Sequence, residues 1–302
     1  MNEKILKTKS NGFAALFFIV LMIIVAIASF ISSIAFLKNE ALSVVGVLLS
    51  IFLFIGSVIS FGGLKVVKPQ EAIVLTLFGD YTGTIKDPGF YFVNPFSVAV
   101  NPAAKTKLGQ SGDVDRQNTP IAVGNSGIEA NLDAFKKHIS LKIMTLNNSR
   151  QKINDCLGNP VEIGIAVTWK VVDTAKAVFN VDNYKEYLSL QCDSALRNIV
   201  RIYPYDVAPN VDTTGDGIAD EGSLRGSSEV VAKRIRDEIQ ARVENAGLEI
   251  IEARITYLAY APEIAAVMLQ RQQASAIIDA RKMIVDGAVG MVEMALERLS
   301  EG

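Results

Sequence analysis

The sequence predicts an α+β protein with a transmembrane helical hairpin at its N-terminus and a coiled-coil-like helix at its C-terminus. Two uncharged apolar runs come first, short runs rich in β-branched residues follow, and an apolar seven-residue repeat comes last. We therefore expect a membrane hairpin over 1–64, a mainly antiparallel first subdomain over 65–175, a mixed α/β second subdomain over 176–261 and a long oligomerisation helix over 262–302.

The two apolar runs cover residues 13–37 and 41–64, and neither contains a charged residue. Because about 20 apolar residues in a helix cross a hydrocarbon core about 30 Å thick, each run is long enough to span a bilayer. A buried core helix is rarely apolar on every face over such a length. A cleaved signal peptide has a shorter apolar stretch and is not followed directly by a second span. Only residues 38–40 separate the runs, which predicts a tight hairpin.

Lysines flank the hairpin on both outer sides, whereas the turn carries one lysine and one glutamate, Lys38 and Glu40. The flanking lysines are Lys4, Lys7, Lys9, Lys65 and Lys68. Because positive residues stay on the cytoplasmic side, we expect a hairpin in the cell membrane with residues 65–302 facing the cytoplasm. A shallow re-entrant hairpin would give the same sidedness, so both arrangements are open.

Runs of β-branched and aromatic residues, separated by turn-forming residues, predict the strands of the first subdomain. These strands lie at 72–79, 81–85, 90–93, 138–146 and 161–172. From Val161 to Val171 apolar side chains alternate with their neighbours, which is the period of a half-buried strand. Asp173-Thr174 should cap a short helix over 175–179. Residues 105–135 are rich in turn-forming residues and predict an exposed loop.

Two helices and a strand are predicted for the second subdomain. The first helix runs from about 183 to 202. The second begins at Ser227 or Ser228, has an apolar stripe at i+4 spacing and ends at Gly247. A strand over 248–257 follows it. The stripe consists of Val231, Ile235, Ile239 and Val243.

Pro262 opens the last predicted helix, since proline is favoured at the first helical position. In heptad notation the a positions are Ala274, Arg281, Ala288 and Ala295, the d positions are Ile277, Ile284 and Met291, and the e positions are Ile278, Val285, Val292 and Leu299. A broad seam centred on alanine favours helices lying side by side in a large assembly over a two-stranded zipper. The alternative is an amphipathic helix folded onto its own domain.

The residues needed for common enzyme chemistry are missing from the sequence. His138 is the single histidine and lies in a predicted strand, while Cys156 and Cys192 are far apart. Histidine-dependent nucleophilic catalysis and a zinc cluster are therefore excluded, and no phosphate-binding glycine motif occurs. A net charge of −2 provides no basic surface for nucleic acid. We expect a non-enzymatic protein that needs no cofactor.

One acidic segment resembles the front of an EF-hand loop, which would make weakly bound calcium the one candidate ligand. Its ligands would be Asp212, Thr214, Asp216 and Asp220, with Gly217 at the sharp turn. Position 12 is Ser223, where a bidentate glutamate is expected, so any calcium site would be weak. The alternative is a solvated acidic loop.

Three stretches resemble the SPFH (band 7) family, the relatives of stomatin, prohibitin and flotillin. They are KVVKPQEAIVLTLFGDYTGTIKDPGFYFVNPF at 65–96, GNPVEIGIAVTWKVVDTAKAVFNV at 158–181 and the segment 223–278. Their order and spacing carry the resemblance over 65–299, nearly everything outside the predicted membrane spans. The predicted loop 105–135 is longer than the usual connector, and the helix after Pro262 is shorter than usual unless the chain continues.

The resemblance implies two small SPFH α/β subdomains and a function as a non-enzymatic membrane scaffold. Such proteins form large homo-oligomeric rings or cages, organise membrane microdomains of lipid and protein, and in some members enclose or regulate membrane proteases. Two alternatives stay open on the residues alone. One is a membrane-anchored hydrolase with a Ser-Lys pair, and the other is a pore lined by hairpins, against which the absence of ionisable residues in both spans argues.

Overall fold

The computed structural model describes residues 3–6, 11–35, 40–106, 137–206 and 222–300. Within these ranges the chain has an α+β fold, with two apolar N-terminal helices, antiparallel sheets and a long C-terminal helix. This confirms the predicted fold class. The middle of the predicted hairpin turn, most of the predicted loop 105–135 and the four candidate calcium ligands lie outside the described residues.

The two apolar N-terminal helices are α1 (Gly12–Ala35) and α2 (Glu40–Phe61). Helix α2 ends before residue 64, where the predicted span ended, because Gly62 and Gly63 close its last turn and Leu64 begins a strand. The buried positions recur every seven residues on both helices, the spacing of closely packed helix pairs. Among the residues whose burial is described, they are Gly12, Ile19, Ala26 and Ser33 on α1 and Ser50 and Ser57 on α2. Small side chains therefore allow close contact between the helices.

Six short strands follow the hairpin and pair antiparallel. They are β1 (Leu64–Val67), β2 (Glu71–Leu77), β3 (Asp80–Ile85), β4 (Gly89–Phe92), β5 (Val98–Ala99) and β6 (Ile139–Ser140). Strand β1 pairs with β4 in a two-stranded sheet, the first sheet, and β2 pairs with β3, β5 and β6 in the second sheet. Their core contains Val67, Ile73, Leu75, Ile85 and Tyr91. A 3₁₀ turn at Pro102–Lys105 follows β5.

A third sheet contains the longer strands. It consists of β7 (Met144–Asn147), β8 (Gln151–Asn154), β9 (Pro160–Val171) and β10 (Leu248–Tyr260), in the order β10-β9-β7 with β8 also pairing with β9. The predicted strand 138–146 was wrong as a single element, because residues 141–143 separate β6 from β7. The alternation predicted for β9 is confirmed, since Val161, Ile163, Ile165, Val167 and Trp169 are all fully buried.

Four helices complete the described chain. They are α3 (Thr174–Phe179), α4 (Tyr184–Val200), α5 (Ser228–Val243) and α6 (Pro262–Ser300). Asp173 caps α3 by accepting from the backbone N–H of Lys176, as predicted. The predicted stripe of α5 is fully buried. A 3₁₀ turn over Glu244–Ala246 separates the end of α5 from Gly247.

The chain divides into two compact units, each built from segments that are not contiguous. The first comprises Met1–Asn147, Val167–Asp193 and Arg236–Ala253, and the second comprises Asn148–Ala166, Ser194–Ile235 and Arg254–Gly302. Strands β9 and β10 and helices α4 and α5 thus contribute residues to both units. The first unit contains the hairpin and the second contains α6.

Gly247 occupies a position in the first unit that other residues cannot fill without strain. Its φ of 68° is left-handed, and a Cβ there would collide with the carbonyl oxygen of Asp173. Its own carbonyl accepts hydrogen bonds from the N–H groups of Val172 and Asp173, at 3.0 and 3.1 Å. This close backbone contact joins the end of β9 to the turn before β10.

Replacing Gly247 with Ala should destabilise the protein by about 2–4 kcal/mol, since left-handed strain and overpacking add. Thermal unfolding of the detergent-solubilised protein measures this loss. Gly158→Ala is the matched control, because Gly158 also has a positive φ, of 83°, but no atom would contact its added Cβ. A loss in Gly247→Ala no larger than in the control would contradict the packing argument.

Candidate membrane anchor and assembly surface

Helices α1 and α2 expose apolar side chains everywhere except along the faces that pack together. With 24 and 22 residues they are about 36 and 33 Å long, which matches a hydrocarbon core. Among the described residues these are the two helices long and apolar enough to cross a membrane. Only 11% of the residues in the most apolar stretch of each helix are buried. Exposed side chains such as Phe13 and Phe52 would each cost about 1.5–3 kcal/mol in water, so these helices need apolar surroundings.

The hydroxyl groups of two buried serines on α2 are satisfied within the helix. Ser50 donates to the carbonyl of Val47, and Ser57 donates to that of Leu53, both at 2.8 Å. Since a bilayer core offers no water, polar groups there need partners of this kind. These serines therefore fit a lipid environment.

The end of α2 is fixed directly to the first sheet. Val93 donates its N–H to the carbonyl of Gly63 at 2.9 Å, and a Cβ on Gly63 would collide with the carbonyl of Val93. Immediately beyond, Leu64 pairs with Phe92 as β1 and β4 begin their ladder. The chain thus passes from a membrane helix into a strand within three residues of Phe61.

The start of α1 packs on the same two-stranded sheet. Asn11 accepts a hydrogen bond from the N–H of Phe92 at 3.3 Å, and the rings of Phe13 and Phe90 meet edge to face at 5.2 Å between centroids. A Cβ on Gly12 would lie 2.6 Å from the ring of Phe90, so the close approach requires glycine. Both ends of the hairpin therefore contact the first sheet.

Residues before the hairpin extend this joint to the edge of β3. Leu6 donates its N–H to the carbonyl of Thr84 and Thr84 donates its N–H to that of Lys4, both at 2.9 Å, so the segment adds to β3 as a parallel neighbour. Leu6 packs on the first core, against Gly83, where a Cβ would lie 2.6 Å from its side chain. No pattern in the sequence predicted this contact.

Glu3, the first residue of this segment, lies in a partly buried polar cluster. Its carboxylate accepts from Lys86 Nζ at 2.6 Å, from the N–H of Thr174 at 3.1 Å and from Thr174 Oγ1 at 2.5 Å. Lys86 also donates to the carbonyl of Val172 at 2.8 Å. We name residues 3–6 the N-terminal segment; its hydrogen bonds hold the chain before α1 against β3 of the second sheet.

Replacing Glu3 with Ala should loosen the N-terminal segment, because Lys86 and Thr174 lose their shared acceptor. A charged hydrogen-bond partner contributes about 1.5–3 kcal/mol, so the amide of Thr84 should exchange with deuterium roughly ten-fold to a hundred-fold faster. Lys4→Ala is the control, since that side chain is exposed. Equal exchange in the two variants would show that Glu3 does not hold the segment.

A few polar contacts attach the start of helix α6 to the rest of the second unit. Ala261 donates its N–H to the carbonyl of Pro160 at 2.9 Å, and Lys152 forms an ion pair with Glu263 that lowers the pKa of that carboxyl group. Gln272 donates to Asp206 at 2.8 Å. These contacts hold only the first three turns of the helix.

Beyond Gln272 the side chains of the long helix are exposed. No residue of α6 is buried, although the structure describes all of Pro262–Ser300. The predicted seam residues are exposed, including Ile284 at 71%. The helix is therefore not folded onto its own domain, which was the alternative expectation, and it continues unbroken through Gly287 and Gly290.

The remaining candidate residues have structural partners. His138 contacts Glu71 through Nδ1 at 2.8 Å and joins β6 to β2. Burial raises the pKa of the Cys192 thiol to about 12. Ser223 is buried and accepts a hydrogen bond from the N–H of Gly226 at 2.8 Å. Across the described ranges no group of three potential metal-ligating side chains occurs.

The comparisons with known proteins agree with this arrangement. The family model of the SPFH domain / Band 7 family matches residues 65–285, from just after the hairpin into α6. A search of curated proteins finds no match. The family comprises membrane-associated proteins that are generally non-enzymatic scaffolds. Since the match spans more than half of the sequence, the chain belongs to the SPFH domain / Band 7 family.

Proposed function

We propose that this chain is a non-enzymatic membrane scaffold that self-assembles into a large ring or cage. One observation carries the proposal: α6 is 39 residues long and has no buried residue. At about 1.5 Å per residue it is about 58 Å long. An apolar surface of this length usually marks an interaction site.

The occupant of the α6 seam is a further copy of the same chain. The seam repeats every seven residues and has alanine at its centre, which suits helices packed side by side. Arg281 is the one charged residue at an a position of the seam. A charge there is unfavourable in the water-free core of a two-stranded coiled coil, so a broader, partly hydrated interface fits this residue better. Copies held in one membrane would present their seams to one another in parallel.

Membrane lipids and integral membrane proteins are the partners this scaffold would organise. A closed assembly of hairpins would separate one membrane patch from its surroundings, and the family's scaffold role supports this interpretation. A membrane protease is one such client. Labelling by a serine-reactive probe would favour the alternative hydrolase, and conductance in a reconstituted bilayer would favour a pore.

Two aspartates in the seam should disperse the assembly. Ile277→Asp with Ile284→Asp would bury charge between neighbouring helices, and the particle should fall to small species while staying in the membrane. Light scattering of detergent-extracted protein measures the mass. The matched control is Met283→Asp, because Met283 is 68% exposed but lies off the seam. Equal masses for both variants would contradict a seam-driven assembly.

The sidedness of the hairpin can be tested with one new cysteine. Asn39→Cys in the turn should react with a membrane-impermeant maleimide on intact cells, while the native Cys156 should react only after lysis. Labelling should be run at alkaline pH, because burial and then Asp155 raise the pKa of the Cys156 thiol. Protection of the new thiol at position 39 in intact cells would point to a re-entrant hairpin. Labelling of Cys156 in intact cells would overturn the cytoplasmic orientation.

A further inference from the structure

Two exposed phenylalanines form a pair at one end of the second sheet, which contains β2, β3, β5 and β6. The rings of Phe78 and Phe96 lie nearly parallel with centroids 6.3 Å apart, and the side chains are 88% and 56% exposed. Phe78 lies in the turn between β2 and β3, and Phe96 precedes β5. Single exposed apolar residues are common on protein surfaces. Two stacked rings at the tip of a turn instead form a continuous apolar patch, which is typical of an interaction site.

The backbone at Phe78 is unfavourable for its own residue type. Leu77 pairs with Asp80, so Phe78 and Gly79 form a two-residue turn, and their φ angles are 50° and 98°. Two positive φ angles define a type I′ turn, which favours Asn-Gly. A bulky residue at positive φ is an outlier, and the fold would be easier to form with asparagine there. The ring is thus placed outward at a cost to the turn.

Phe96 is held outward by a turn of its own. Asn94 accepts the N–H of Phe96 through its side chain at 3.0 Å, and its carbonyl accepts the N–H of Ser97 at 2.9 Å. These bonds fix the backbone on both sides of the ring, so the pair is presented on a rigid support.

The pair lies at the membrane end of the sheet. A Cβ built on Gly62, directly after α2, would lie 3.4 Å from the carbonyl oxygen of Pro95, the neighbour of Phe96. Strand β1 leads the chain away from the end of α2. Strand β2 then brings it back toward that end, because Phe78, in the turn after β2, stacks on Phe96. The two rings are therefore within a few residues of the point where the chain leaves the bilayer.

We propose that Phe78 and Phe96 insert into the lipid surface as a second membrane contact beside the hairpin. The partner is the headgroup and acyl boundary of the leaflet that α2 leaves, where apolar rings on a polar support bind favourably. The inference rests on the membrane anchoring described above. It adds that the sheet itself touches lipid, which fixes the tilt of the first unit on the bilayer.

Tryptophan fluorescence in nanodiscs with brominated lipid tests the contact. The chain has one tryptophan, Trp169, which is fully buried and supplies the background emission. In full-length Phe78→Trp, brominated lipid should remove most of the added emission and an aqueous quencher should remove little. Phe52→Trp, within α2, should also be quenched by brominated lipid. Leu190→Trp, exposed on α4, should be quenched only from water.

Each other outcome overturns the proposal in a distinguishable way. If brominated lipid quenches the tryptophan at position 52 but the tryptophan at position 78 is open to the aqueous quencher, the hairpin is anchored and the pair lies in water. Protection of the tryptophan at position 78 from both quenchers would indicate a protein contact instead. If neither position 52 nor position 78 is quenched by lipid, the membrane anchor and this inference both fail.

Phe78→Asn separates the membrane role from folding. Asn-Gly suits the turn, so thermal stability in detergent should be maintained or raised. In nanodiscs the first unit should lose its fixed tilt, and a tryptophan placed at Phe96 in this background should be less quenched by brominated lipid than in the parent chain. Equal quenching in the two backgrounds would overturn the role of Phe78.

Discussion

The joint between the hairpin and the first sheet is the constraint on which the membrane-proximal structure depends. In a bilayer the two apolar helices would find no hydrogen-bond partners in lipid, so their ends are the first points where the chain can make polar contacts. At α2 this contact is the bond between Gly63 and Val93, and at α1 it is the bond between Asn11 and Phe92. Because both helices end on β1 and β4, a tilt of the hairpin would be transmitted to the sheet.

Glycine makes this joint possible, and the N-terminal segment completes it. Gly12, Gly63 and Gly83 each lie where a side chain would collide with its neighbour. At Gly83 the missing Cβ leaves room for Leu6, while Glu3 binds the Lys86 and Thr174 cluster. The chain is therefore held to the second sheet before α1 and to the first sheet at the start of α1.

Much of this fold could be predicted because the relevant signals are local. Periodicity predicted α5 and β9, and uninterrupted apolar length predicted α1 and α2. The N-terminal segment has no such signal, since Glu3 and Thr174 are 171 positions apart. A turn was expected between the predicted strands 72–79 and 81–85, but its position at Phe78 was not, because Phe-Gly is not a type I′ sequence and only the pairing of β2 with β3 imposes it. The subdomain boundaries and the α6 seam stay predictions.

In the proposed assembly, membrane anchoring by the hairpin and association through α6 strengthen each other. Seven large apolar side chains of the seam, from Ile277 to Leu299, are exposed, and burying them is worth on the order of 10 kcal/mol before entropic costs. Association in solution loses much of that gain to lost translational and rotational freedom. A membrane hairpin confines each copy to a plane and raises the effective concentration of neighbouring seams. Anchoring would therefore promote the same assembly whose many hairpins strengthen the hold on the membrane.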